Sequence, residues 1–139
     1  MNIYFACSIT GGRELESVYE AFVAALSEGG HEIPTAHLAL PAVTEEARLA
    51  PRMIYERDTA WIRACDVLIA EVSVPSHGVG YEIGYALNAA KPVMCLFQEG
   101  RKLSKMISGN PHSLLNVQSY GTIDAGIAMI QIFLTNCIL

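Results

Sequence analysis

The sequence is short of positive charge. Nine Lys and Arg stand against fourteen Asp and Glu, for a net charge of −5, and no basic cluster breaks the balance. Duplex binding needs a basic footprint to displace counterions, so nucleic acid is excluded as a partner, while a small anion held by amides and hydroxyls is not. Cysteine is sparse as well: Cys7, Cys65, Cys95 and Cys137 lie in apolar runs with no CxxC or secreted-scaffold spacing. They read as reduced core thiols of a cytoplasmic protein. No charged stretch precedes an apolar one at the start, where MNIYFACS runs directly into strand-like sequence, so no secretory leader is expected. The C-terminal AGIAMIQIFLTNCIL is very apolar, but it is shorter than a bilayer span and carries Gln131, Thr135 and Asn136. A helix buried against a sheet or a partner is expected there, with no membrane association. His31, His37, His77 and His112 form neither HxH nor HExxH, so no metal is expected. A GxSxG elbow and a Walker loop are also missing, which removes serine hydrolase and P-loop chemistry.

What is present is a regular alternation. With 139 residues, 52% of them hydrophobic, the chain suits one domain spanning 1–139 with a full core. Strands are expected at Asn2–Cys7, His31–Ala36, Asp66–Val72, Pro92–Phe97 and Asn116–Gly121, the second weakened by Pro34 and therefore placed at an edge. Helices are expected at Glu14–Glu28, Arg52–Ala64, Val79–Ala90 and Lys102–Ile107, with another at the C-terminus. Strands alternating with helices predict an α/β fold: a five-stranded parallel sheet covered on both faces, a flavodoxin- or Rossmann-like three-layer sandwich of order 2-1-3-4-5. Ligands of such sheets collect beyond the carboxyl ends of the strands, so the segments after Cys7, Val72 and Phe97 are the places to search.

After the first strand, SITGGR (Ser8–Arg13) offers hydroxyls and two glycines at a helix N-terminus, suited to an anion or a sugar and equally to a plain turn. After the third, VPSHGVGYEIG has the GxG spacing of Gly78 and Gly80, but Ile83 stands where a dinucleotide fingerprint needs its third glycine. A nicotinamide cofactor is disfavoured, and no cofactor is expected. The same helix carries an apolar stripe of Val79, Ile83, Ala86, Leu87 and Ala90, and Glu82 falls on it. An acid in a first helical turn also gains about 0.3–1 kcal/mol from the helix dipole, so Glu82 alone decides nothing. In PRMIYERDTAWIRAC, however, Asp58 falls on the stripe of Ile54, Trp61, Ile62 and Cys65, with Arg52, Arg57 and Arg63 largely off it. An unpartnered buried carboxylate costs several kcal/mol. Two inward acids at one sheet edge suit glycosyl transfer, where one attacks or stabilises the anomeric carbon and the other handles the leaving group's proton.

With IYFACSITGGR, ERDTAWIRACDVLIAEVSVPSHGVGYEIG and KPVMCLFQEGRKLSKMISG in this order, the chain resembles the 2'-deoxynucleoside 5'-monophosphate N-hydrolases, a branch of the nucleoside 2-deoxyribosyltransferase superfamily. The resemblance implies Glu82 as nucleophile on C1', Asp58 assisting departure of the base and Tyr4 orienting or activating Glu82. Water would then release 2-deoxyribose 5-phosphate from a glycosyl-enzyme ester. It also implies a homodimer with shared active sites, with the 5'-phosphate on Ser8, Ser76, the Gly78 amide and Ser104 from across the dimer. Cys7, Ile9, Thr10, Gly11, Gly12 and Arg13, together with Tyr19, His37 and Met106, complete the implied substrate contacts. The family usually has glycine where this chain has Cys7, arginine where it has Thr10, and an apolar residue where it has His77. The nearest rival is a deoxyribosyltransferase in which a second base intercepts the same intermediate; the other is a nucleotide-binding module without turnover.

Overall fold

A computed structural model describes residues 1–9, 14–39 and 46–139. Strands β1 (Ile3–Ala6), β2 (Val67–Glu71), β3 (Val93–Gln98) and β4 (Leu115–Tyr120) form one parallel sheet in the order β1-β2-β3-β4. Around it lie α1 (Glu16–Glu28), α2 (Pro51–Ala64), α3 (His77–Asn88), the short α4 (Lys105–Ser108) and α5 (Ile123–Ile138), with 3-10 turns at Ala36–Ala39 and Glu46–Arg48.

The sheet corrects one expectation: it has four strands in order 1-2-3-4, not five in order 2-1-3-4-5. The segment expected as the second strand makes only an isolated parallel bridge, Glu32 beside Asn2. Two residues explain why pairing stops. Pro34 has no N–H to give a ladder. Next to it, the buried Thr35 hydroxyl does the work of a strand's backbone: Oγ1 accepts from Phe5 N at 3.0 Å and donates to Phe5 O at 2.8 Å. The free edge of β1 is thereby satisfied at Phe5 by a side chain, and at Ile3 by the Glu32 carbonyl, which accepts from Ile3 N at 2.8 Å.

Alternation along the strands divides the core in two. Ile3 and Phe5 face α1 and α5, packing with Phe22, Ile69, Met94, Tyr120 and Leu134. Tyr4 and Ala6 face the other way, packing with Ile62, Leu68, Ile83 and Cys95 under α2 and α3. The α1 stripe behaves as its period requires, with Leu15, Val18, Tyr19, Phe22 and Leu26 all buried. On α5, Gly126 comes so near the sheet-side aromatics that a Cβ there would meet Phe22 at 2.7 Å. That helix buries Ile130 and Leu134 but leaves Ile132 63% and Ile138 72% exposed, so its apolar surface is only partly used within the chain. Among the described residues no helix is long and apolar enough to cross a membrane. Cys7, Cys65 and Cys95 are buried and Cys137 partly so, all as free thiols.

Candidate active site

The site is built where the α2–α3 side of the sheet meets the turn after β2. Because Tyr4 points to that side, its hydroxyl reaches α3 and donates to Glu82 Oε1 at 2.7 Å. Glu82 is held there by its own helix, whose Val79, Ile83, Ala86 and Leu87 are buried on the sheet. Ser76 opens α3 in extended backbone conformation, and its Oγ accepts from Val79 N at 3.3 Å, satisfying one of the free amides of the first turn. A Cβ on Gly80 would meet no atom, and on Gly78 only Ser76 Oγ at 3.9 Å. Packing within the chain therefore does not require glycine at either place.

Asp58 approaches from α2. It shares with Glu82, Cys7, Ile9, Ile54, Ser76 and Gly78 the wall of a cavity of about 310 Å³. Its partner is the residue that helical periodicity set aside: Arg57 turns back along the helix and its Nε donates to Asp58 Oδ1 at 2.8 Å. The other two guanidinium nitrogens hold Glu46, at 2.6 Å from Nη1 and 3.1 Å from Nη2, and the guanidinium carbon lies 4.7 Å from the centre of the Trp61 ring. His37 stands edge-on to Trp61 and 3.7 Å from Glu46.

The electrostatics of the three central groups diverge. Burial, reinforced by the negative charge of Asp58, raises the Glu82 carboxyl from its ordinary 4.5 to about 7, against the opposing pull of the Tyr4 hydrogen bond and Arg57. Asp58 is also raised by burial, but hydrogen bonding and attraction from Arg57 oppose that rise. Burial, then the charges of Glu82 and Asp58, push Tyr4 far upward, so its hydroxyl remains a donor at any physiological pH. Near neutrality, Glu82 can thus carry its proton or lose it, and Tyr4 occupies one oxygen while no described residue hydrogen-bonds the other.

The remaining expected residues divide. Cys7 and Ile9 reach the cavity with the acids. Ser8 is fully buried, and its Oγ has no hydrogen-bond partner among the described residues. Thr10, Gly11, Gly12 and Arg13 lie outside the described residues. Tyr19 is buried in the α1-side core and does not line the cavity. Ser104 caps α4, its Oγ accepting from Met106 N at 3.2 Å, and Met106 is 84% exposed. These two line a separate cavity of about 680 Å³, which shares Ser76 and Val79 with the first but reaches neither acid. It is the larger cavity and mostly apolar; the acids make the smaller one the reactive candidate. Sequence reasoning missed Glu46 altogether. A loop residue with no periodic context carries no signal of its own, whereas Arg57, adjacent to Asp58, could have been tried as its partner.

The family model of nucleoside 2-deoxyribosyltransferase matches residues 3–129, a span containing Tyr4, Asp58 and Glu82. The chain belongs to this family. Among its relatives, the 5-hydroxymethyl-dUMP N-hydrolase of Mus musculus is 47% identical over 113 residues, covering 78% of this chain and 65% of that protein. This chain thus matches a little under two thirds of the mouse protein's length. A Methanosarcina mazei protein with the provisional name 2'-deoxynucleoside 5'-phosphate N-hydrolase 1 is 42% identical over 120 residues, covering 86% of this chain and 74% of that one. Among solved structures, the Clostridium botulinum CMP N-glycosidase superposes with a TM-score of 0.71 at 21% identity, covering 94% of this chain and 99% of its own, a likeness of fold.

Proposed function

We propose that the protein hydrolyses the N-glycosidic bond of 2'-deoxynucleoside 5'-monophosphates, releasing the free base and 2-deoxyribose 5-phosphate. The observation that carries this reading is the Tyr4 hydroxyl 2.7 Å from Glu82 Oε1, in a cavity whose wall also presents Asp58. The relatives named as N-hydrolases support the same reaction class.

Tyr4 occupies Oε1 and so turns Oε2 of Glu82 toward the sugar, where it attacks C1' as the bond to the base breaks. The electron pair of that bond leaves with the base, and Asp58, raised by burial, gives its proton to the departing nitrogen and is left as a carboxylate. Water then attacks C1' of the glycosyl ester while the Asp58 carboxylate takes its proton, freeing the carboxylate of Glu82 and giving the sugar phosphate its anomeric hydroxyl. The 5'-phosphate is read as lying at the head of α3, on Ser76 and the Gly78 amide, where the helix dipole favours an anion and the missing Cβ allows close approach. Hydroxyls and amides serve this end in an acidic protein without a positive field. Cys7 and Ile9 would border the sugar, with His37 near the base. Ser8 and, from a second subunit, Ser104 would complete the phosphate site in a homodimer; Met106, beside Ser104, would follow it.

Chromatography of each deoxynucleoside monophosphate with the enzyme, alongside the nucleosides lacking phosphate, tests the reading. Base and sugar phosphate should appear in equal amounts from the phosphorylated substrates only. Adding a different free base tests the transferase alternative: base exchange exceeding sugar-phosphate release would overturn hydrolysis.

A further inference from the structure

Arg57 belongs to neither the nucleophile nor the phosphate site, yet all three of its guanidinium nitrogens are committed to two acids of the cavity wall. Nε holds Asp58, Nη1 and Nη2 hold both oxygens of Glu46, and the guanidinium packs over Trp61. The three side chains are largely withdrawn from water, at 22%, 12% and 14% exposure for Arg57, Glu46 and Asp58. A surface ion pair of long side chains is loosely held and contributes little. This one is a fork in which each of the three guanidinium nitrogens makes a hydrogen bond, and its plane packs over an aromatic ring.

We infer that Arg57 is a positioning residue for the reaction: by holding Asp58 Oδ1 and bracing itself on Glu46 and Trp61, it turns Asp58 Oδ2 toward the substrate. No described residue hydrogen-bonds Oδ2, so the fork leaves one carboxylate oxygen for the departing base. Arg57 also supplies a positive charge that acts on both acids of the small cavity. Around Asp58 the charged and titratable groups are Arg57 on its own helix, Glu46 and His37 from the two 3-10 turns, Glu82 from α3 and Tyr4 from β1. In that set, Arg57 favours the ionised form of both acids, while Glu46 disfavours it for Asp58. This inference rests on the reading of Asp58 as the residue that assists base departure.

Three variants test it by kcat, KM and the pH profile of kcat/KM, each with a thermal melt. Arg57→Gln should lower kcat by about tenfold to a hundredfold with little change in KM, as misplacement of a reacting group does. Its profile should move to higher pH, because both acids lose the charge that favours their ionisation. Glu46→Gln should move the profile the opposite way, and Arg57→Lys should restore its position but not kcat, since lysine returns the charge without the fork. A purely structural ion pair would lower melting temperature in all three and leave the pH profile in place, and that result overturns the inference. Carbon-13 NMR titration of the Asp58 carboxyl separates this failure from failure of the parent reading. If the wild type releases no base from any deoxynucleotide, the proposed function fails, and an Asp58 titration unmoved by Arg57→Gln would still overturn the role of Arg57.

Discussion

Glu71, at the end of β2, and Glu82, on α3, each accept a hydrogen bond from a fully buried tyrosine, at 3.0 Å from Tyr120 and 2.7 Å from Tyr4. Burial raises both carboxyls. The difference lies in what else each acid meets. Glu71 is 1% exposed, also takes the Ser73 hydroxyl and amide, and through Ser73 Oγ is tied to Gln98 N of β3. Among the described residues Glu82 has Tyr4 alone, and it opens on a cavity beside a second acid. The same pairing of tyrosine and glutamate thus braces the sheet in one place and, in the other, leaves the oxygen that the proposed reaction uses. A buried acid marks a reaction site only when its partners do not use up its lone pairs.

The largest effect expected from this contrast is on turnover. Glu82→Gln should lower kcat by about three orders of magnitude or more, as loss of a nucleophile does, while Glu71→Ala should leave kcat within a few-fold. Release of base from a deoxynucleoside monophosphate measures both. Stability should invert the order. Removing Glu71 leaves Ser73 and Tyr120 without their acceptor and should cost about 1–3 kcal/mol in denaturant unfolding. Glu82 carries a penalty in the fold, because its carboxyl titrates near 7 when folded against its ordinary 4.5. Between those values the folded chain binds the extra proton, so the contribution of Glu82 to stability falls as pH rises through that window. Glu82→Gln should therefore stabilise the protein at neutral pH, by on the order of 3 kcal/mol at most, and flatten the pH dependence.

A smaller effect separates the two tyrosines. Tyr4→Phe removes an interaction that lowers the Glu82 carboxyl, so the acid limb of kcat/KM, which should lie near 7 in the wild type, should move upward. Tyr120→Phe should cost about 1 kcal/mol of stability and leave that limb in place. The subtlest expectation concerns the sugar: a 2'-hydroxyl would crowd the Tyr4 and Glu82 side of the cavity, so GMP should be cleaved poorly beside dGMP. Comparable rates would remove steric discrimination at this wall.

How far the sequence reaches can be judged from the same residues. Glu82 and Asp58 were legible as inward acids because helical period fixes direction. The partnership of Tyr4 with Glu82 came only from resemblance, since the residues are far apart in sequence and meet through the parallel fold. Arg57 falls largely off the inward stripe in the sequence, because period describes Cα positions and not where a long flexible side chain turns. Glu71 reads as one more residue of a buried strand, with nothing to announce Tyr120 as its partner. The expected second strand failed for a similar reason: alternation registers an apolar segment but not a threonine hydroxyl standing in for a strand's backbone at Phe5.

The proposed reaction has Glu82, held by Tyr4 beside Asp58, break the glycosidic bond of a deoxynucleoside 5'-monophosphate. Its most direct test is the rate of base release from the four common deoxynucleoside monophosphates by wild type and Glu82→Gln under identical conditions. Base and 2-deoxyribose 5-phosphate in equal amounts from the wild type, and essentially none from the variant, is the result expected. Equal release by the two proteins, or none by the wild type from any of the four, would contradict it.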